Sequence, residues 1–266
     1  MGRVVFIGAG PGAADLITLR GASRLAQADV VLFDALTDPA LREFAPTARW
    51  IHVGKRGHTQ APGPPGFPAC DSTGQATIDA LLVKHANESA IVVRLKGGDP
   101  SVFGRLEEEL AALALAGIAC EVVPGVTAAI AAAAATQRPL TRRGSGRSVS
   151  LTTAMTREGV MHASRSADTE VFYMAGMRLA ALSRHLLAAG WPAGTPVSVV
   201  SRAGWPDQLH SDHELLHLAG AAMVHAGRPT VVTVGAGAAP LDAAEKVAAV
   251  HRTAHDPAQR VARTKP

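Results

Sequence analysis

The apolar run Val4-Val5-Phe6-Ile7 passes straight into Gly8-Ala9-Gly10-Pro11-Gly12-Ala13, and a helix-spaced segment, Leu16 to Ala28, follows. A short continuous apolar run reads as a strand buried on both faces. A glycine-rich turn between such a strand and a helix opens a βα unit. The pattern then repeats. Val30 to Phe33 is a second run, ended by Asp34, and Ala90 to Leu95 and Cys120 to Val123 flank a helix candidate, Glu107 to Ala116. This alternation predicts a parallel sheet covered by helices.

The segment Thr141 to Arg147, TRRGSGR, reads as an exposed connection. Beyond it come the runs Val149 to Leu151, Val171 to Met174, Pro196 to Val200 and Thr230 to Val234, with a helix candidate at Leu179 to Ala189. The expected fold is therefore α/β with two lobes and a ligand cleft between them. Residues 1–143 form the first lobe, 147–245 the second, and 246–266 a basic tail. His58 to Gly74 carries Pro62, Pro64, Pro65 and Pro68, which excludes regular structure. It reads as a solvent loop, with a lid over the cleft as the alternative.

Bulk properties exclude several classes. The 266 residues are 47% hydrophobic, so a packed globular chain is expected rather than a disordered one. No apolar run is long enough to span a membrane, and Val4 to Ile7 is too short for an export signal, which predicts a cytoplasmic protein. The formal charge of +4 is partly carried by the tail, and aromatic residues make up only 4%, which speaks against a nucleic-acid surface. Cys70 and Cys120 are far apart and form no metal-ligand spacing, so no metal is expected.

The first turn fits G-x-G-x-x-A, and Asp34 would serve as the ribose acid of a dinucleotide fold. Two features point elsewhere. Pro11 removes a backbone N–H that should cradle pyrophosphate. A second turn, Lys96-Gly97-Gly98-Asp99-Pro100, follows another strand. Adjacent glycines let a ligand lie on the backbone, and Asp99 offers a carboxylate to a ribose hydroxyl or an ammonium group. A ligand with a cation and a ribose but no phosphate suits this pair, and S-adenosylmethionine is one.

The stretches VFIGAGPGAADLITLRG, ADVVLFDAL, VGKRGHT, VVRLKGGDPSVFGR, VVPGVTAAIAAAAATQRPLTRR, VFYMAG and PVSVVSRAGWPDQ occur in the order of the uroporphyrinogen-III C-methyltransferase family, which the chain resembles from Arg3 to Gly235. The resemblance implies a two-lobed tetrapyrrole methyltransferase fold, a homodimer, and S-adenosylmethionine between the lobes, released as S-adenosylhomocysteine. Carried over, Pro11, Gly97, Gly98, Asp99, Val102, Thr127, Ala128, Met174 and Ala203 would hold the cofactor. Asp34 and Lys55 match the family's proton acceptor and proton donor. The implied reaction is two methyl transfers to uroporphyrinogen III, giving precorrin-2 for siroheme or cobalamin synthesis. Its substrate carries eight carboxylates, for which Arg94, Arg105, Arg142 and Arg143 are candidate partners.

The chain departs from the family pattern at particular positions. Leu106 and Glu107 stand where two glycines are usual, Arg142 replaces a histidine, Ala154-Met155 replaces Gly-His, and Ala175 and Ala203 replace glycines. These departures touch the substrate more than the cofactor. Three alternatives stay open: another tetrapyrrole methyltransferase, a catalytically poor binding protein, and, from the first turn alone, a nicotinamide-dependent oxidoreductase.

Overall fold

The computed structural model describes residues 2–54, 74–155, 161 and 163–241. Lys55, the proline-rich segment up to residue 73, and the tail 246–266 lie outside the described residues.

Strands β1 (Arg3–Gly8), β2 (Val30–Phe33), β3 (Arg49–His52), β4 (Ile91–Lys96) and β5 (Ala119–Val123) form a five-stranded sheet in the order β3-β2-β4-β1-β5. Every neighbouring pair is parallel. The strands alternate between two buried faces, as the period of two demands. Val5, Ile7, Val31, Val93 and Leu95 pack with Leu25 on one face. Val4, Phe6, Val30, Leu32 and Val92 pack with Ile78, Leu82 and Leu113 on the other. Leu25 belongs to helix α1 (Leu19–Leu25), Ile78 and Leu82 to α2 (Gln75–Glu88), and Leu113 to α3 (Leu106–Leu115).

Helix α1 is shorter than the predicted Leu16 to Ala28. The Thr18 hydroxyl caps it by accepting from Gly21 N at 3.0 Å, and Ala14–Leu16 forms a separate 3-10 turn. Pairing of Gly8 with Lys96 brings β1 and β4 to the same level at their carboxyl ends. That is the edge at which open parallel sheets bind ligands.

The second sheet contains β6 (Val149–Thr153), β7 (Thr169–Tyr173), β8 (Pro196–Ser201), β9 (Leu209–Glu214) and β10 (Thr230–Gly235), in the order β6-β7-β10-β8-β9. Only β6 and β7 pair in parallel; the other neighbours are antiparallel. One face packs Phe172, Val197, Val199 and Val232 on Leu179, Leu182 and Leu186 of helix α5 (Leu179–Ala188). The other packs Val171, Tyr173, Val200 and Val231 on Ala129, Ala131 and Ala132 of helix α4 (Ala128–Ala135). Helix α4 precedes the connection at 141–147 in sequence, yet its alanines lie against this second sheet.

Strands β3 and β9 and helices α2 and α4 are additions to the elements predicted from sequence. β9 reads LHSDHE and β3 reads RWIH; both are half-exposed edge strands without an apolar run. Helix α4 is almost all alanine and shows no apolar stripe, although alanine has the highest helix propensity. Within 141–147, Arg142 bridges to Gly146 around Gly144, whose φ is +87°, so the connection contains a tight turn. Among the described residues no helix is long and apolar enough to cross a membrane.

Candidate functional site

Three glycine turns meet at the carboxyl ends of β1, β4 and β5. Gly10 and Gly98 pair backbone to backbone: Gly98 N donates to Gly10 O at 2.7 Å, and Gly10 N donates to Gly98 O at 3.3 Å. A Cβ on Gly8 would stand 2.5 Å from Gly125 Cα and 2.7 Å from Gly98 O. Only glycine lets the three turns approach so closely. Gly98 differs from Gly8. Its φ is +73°, and a Cβ there would meet nothing nearer than Thr127 Cα at 3.9 Å. The open side of this backbone therefore looks into the space in front of α4.

Asp99 ties two of the turns together. Its Oδ1 accepts from Ser101 N at 2.8 Å and its Oδ2 from Gly125 N at 2.9 Å. Both oxygens hold backbone, and each keeps a further lone pair for a ligand.

The second sheet closes the opposite side. Trp205 Nε1 donates to Pro11 O at 2.9 Å, and Ala13 N donates to Gly204 O at 2.7 Å. The first glycine turn thus docks against Arg202-Ala203-Gly204-Trp205. Arg202 stacks on Trp205 at 4.3 Å and pairs with Asp207 at 2.7 Å, which stiffens that loop. The Tyr173 phenol lies 2.7 Å from Thr127 Oγ1 and accepts from Ala129 N at 3.2 Å. Burial pushes this phenol above the usual tyrosine range. The Phe103 ring packs 5.1 Å from the Tyr173 ring.

Non-glycine residues with left-handed backbone gather around this space: Phe103 (φ 52°), Arg105 (φ 54°), Met174 (φ 57°) and Arg202 (φ 52°). Met174 directly follows β7 and Arg202 directly follows β8. Each such residue costs about 1–2 kcal/mol, and such outliers concentrate at functional sites. Leu36, Phe103 and Met174 remain 45%, 43% and 43% exposed there and give the space an apolar lining.

The predicted cofactor residues Pro11, Gly97, Gly98, Asp99, Val102, Thr127, Ala128, Met174 and Ala203 thus come from turns that face one another. Ala203 itself is buried with Val200 and Val231.

Asp34 caps the end of β2, extending the ladder through Asp34 N to Leu95 O at 3.3 Å. Its Oδ1 accepts from Arg94 Nη2 at 2.6 Å, and the side chain stays partly exposed. Lys55, its expected counterpart, is outside the described residues.

The expected carboxylate-binding arginines do not form one cluster. Arg94 is 2% exposed and its guanidinium is taken up by Asp34, Glu109 and the carbonyls of Leu32 and Leu95, so it is a core residue rather than a substrate ligand. Arg105 is half exposed and engages Glu108 through Nε at 2.6 Å and through Nη2, which raises its pKa further. Arg142 donates to the carbonyls of Ala239 and Pro240. Arg143 is exposed. The alanine departures also change meaning. Ala154 and Ala175 are fully buried in the second-sheet core beside Phe172 and Leu179, so their methyls fill core rather than ligand space.

Four residues at the site had no assigned role in the sequence: Tyr173, Trp205, Lys96 and Glu109. Glu109 left a signal. Leu106, Leu110 and Leu113 make an apolar stripe, and Glu109 stands on it, so a buried partner was implied. Arg94 and Lys96 are likewise charges within an apolar strand. Tyr173 left only its uniqueness as the one tyrosine of the chain.

Comparisons with known proteins agree with this geometry. A family model, tetrapyrrole (corrin/porphyrin) methylases, matches residues 3–219. A uroporphyrinogen-III C-methyltransferase of Pseudomonas aeruginosa is 40% identical over 243 residues, covering 88% of this chain and 93% of that protein. A siroheme synthase of Pectobacterium atrosepticum is 43% identical over 227 residues; the match covers 82% of this chain but only 45% of that longer protein. Among solved structures, the uroporphyrin-III C-methyl transferase from Thermus thermophilus complexed with S-adenyl homocysteine has a TM-score of 0.74 at 33% identity, covering 88% of this chain and 97% of that one. A cobalt precorrin-4 methyltransferase has a TM-score of 0.76 at 29% identity, covering 90% and 96%. A family model that matches residues 3–219 and a relative 40% identical over nearly its whole length place this chain in the tetrapyrrole methylase family.

Proposed function

We propose that the chain transfers methyl groups from S-adenosylmethionine to two carbon atoms of uroporphyrinogen III, giving precorrin-2 and S-adenosylhomocysteine. The observation that carries this reading is the open backbone face of Gly98, set between the Asp99 turn and the start of α4. A cofactor lying on that face fits without a side chain in its way. When bound, it supplies an electrophilic methyl on a cationic sulfur.

In this reading lobes 1–143 and 147–245 flank the cofactor. Pro11, Gly97, Gly98, Asp99, Val102, Thr127, Ala128, Met174 and Ala203 position it, while the apolar Leu36, Phe103 and Met174 keep water from the methyl group. A pyrrole carbon forms the new C–C bond as the C–S bond breaks, and the sulfur keeps the electron pair. The ring, now cationic, loses a proton. Asp34 accepts it, which leaves the methylated ring neutral; Lys55 is the proton donor, and any proton it gives the ring is matched by a second ring proton lost, so the net release is one proton. Arg105, in exchange for its pairing with Glu108, and the exposed Arg143 are the arginines left to meet substrate carboxylates. The protein acts as a cytoplasmic homodimer, needs no metal, and feeds siroheme or cobalamin synthesis.

The test is anaerobic incubation with uroporphyrinogen III and S-adenosylmethionine, read by mass spectrometry. A product carrying two added methyl groups supports the reading. Methylation of a precorrin with none of uroporphyrinogen III would assign the chain to a later step. Binding of NAD without S-adenosylhomocysteine would overturn the cofactor class.

A further inference from the structure

The face of the first sheet covered by α2 and α3 turns from apolar to charged along β4. Val92 is apolar; Arg94 and Lys96, two and four residues on, point to the same side. Arg94 Nε donates to Glu109 Oε1 at 3.1 Å, Lys96 Nζ donates to Glu109 Oε2 at 2.6 Å, and Arg94 Nη2 donates to Asp34 Oδ1 at 2.6 Å. Arg94, Lys96 and Glu109 are 2%, 2% and 1% exposed. Gln75 Nε2 adds a longer contact to Glu109 Oε1 at 3.4 Å and holds Asp79 at 2.7 Å. The row therefore runs Lys96, Glu109, Arg94, Asp34, with alternating charge and no net charge. Only its last member reaches the cleft.

Such a row is an expensive way to fill a core. Desolvating buried charges costs as much as their pairing returns, and apolar residues of equal volume would often be as stable. The arrangement does something apolar packing cannot. Arg94 donates from Nε to Glu109 and from Nη1 to the carbonyls of Leu32 and Leu95, so its planar fork has one orientation. The fork in turn fixes Oδ1 of Asp34, whose side chain stays partly exposed.

We propose that Lys96, Glu109 and Arg94 are positioning residues that aim the Asp34 carboxylate at the tetrapyrrole. Glu109 acts through Arg94, Lys96 balances Glu109, and none of the three touches substrate or cofactor. This rests on the reading of Asp34 as the proton acceptor, so the experiment separates the two.

The experiment is a double-mutant cycle on single-turnover methyl transfer to uroporphyrinogen III, with Asp34→Asn, Glu109→Gln and both together. S-adenosylhomocysteine binding is measured by calorimetry in each. Glu109→Gln should slow transfer about 10- to 100-fold with cofactor affinity unchanged within about twofold, since a misplaced catalytic group loses rate on the order of 10²-fold. The double variant should be no slower than Asp34→Asn alone, because a residue acting through Asp34 has nothing left to position.

The split between kcat and KM adds a readout that loss of packing would not give. Glu109 reaches Asp34 only through Arg94, so Glu109→Gln should lower kcat with the KM for uroporphyrinogen III unchanged within about twofold. Additive losses in the cycle, or a KM that rises in step with the lost rate, would overturn the positioning role while leaving Asp34 as base. A full rate in Asp34→Asn would overturn the base itself. Should Glu109→Gln fail to fold, Lys96→Met keeps the volume and enters the same cycle, with the same non-additivity expected and simple additivity again decisive against the proposal.

Discussion

The Tyr173 hydroxyl, at the end of a second-sheet strand, lies 2.7 Å from Thr127 Oγ1 at the entrance to α4. It also accepts from Ala129 N at 3.2 Å, supplying one of the partners that the first turn of a helix lacks. One phenol thereby holds the start of α4, and with it Thr127 and Ala128, against the strand that ends in Met174.

Tyr173→Phe should remove that hold while keeping the ring on Phe103. Leaving Ala129 N without its acceptor costs about 1–3 kcal/mol. Thermal unfolding should show the loss, and calorimetry should show weaker S-adenosylhomocysteine binding. Unchanged affinity would mean that α4 keeps its place without the phenol.

Because Tyr173 is the chain's one tyrosine, phenolate absorbance reports it alone. Burial raises its pKa, so the folded state favours the neutral phenol. The associated stability is fully present below the ordinary tyrosine value of about 10 and is lost as pH rises through the folded value. The native protein should titrate at higher pH than the same chain in denaturant. A native titration at or below the denatured one would contradict the burial.

Gly8→Ala and Gly98→Ala should fail differently. At Gly8 the new methyl would press on Gly125 Cα and Gly98 O, so the turns themselves must part; overpacking of this kind costs about 1–3 kcal/mol. At Gly98 the methyl enters open space, and the left-handed backbone costs about 1–2 kcal/mol. Gly98→Ala, and more so Gly98→Val, should weaken cofactor binding well beyond its effect on unfolding. Equal cofactor affinity in Gly98→Val and the parent would place the ligand elsewhere.

Asp34→Asn should slow methyl transfer by roughly 10²–10⁴-fold, the usual loss for a general base, with cofactor affinity nearly unchanged. A dinucleotide-type ribose acid would instead lose affinity in step with rate. Kinetics and calorimetry on the same preparation distinguish the two.

His225 is buried between Ser201 Oγ at 2.9 Å and Ser211 Oγ at 2.8 Å, and burial pushes its pKa down. His85 and His213 are lowered by burial as well. Each contributes stability that is present above about pH 6.5 and is lost as pH falls through the lower folded value, because the unfolded chain takes up those protons first. Denaturant midpoints should fall from pH 7.5 to pH 5, and His225→Gln should lessen the slope. An identical slope in that variant would show that His225 stays neutral or charged alike in both states.

Much of this protein was legible in its sequence because strands, glycine turns and helix spacing are local properties. The continuous run before Gly8 required a strand buried on both sides, and the two glycine turns required a ligand or backbone pressed against them. Family order then singled out the turns proposed to hold the cofactor. Partner choice was decided only by the tertiary structure. Arg94 and Asp34 are sixty positions apart, and they meet because Leu32 pairs with Arg94 across β2 and β4. That register turned a presumed substrate arginine into a core residue. It likewise sent the Ala154 and Ala175 methyls into packing and brought Tyr173 to Thr127. A buried charge or hydroxyl takes whichever partner the packed elements place within about 3 Å, and distances between elements are not written in sequence spacing.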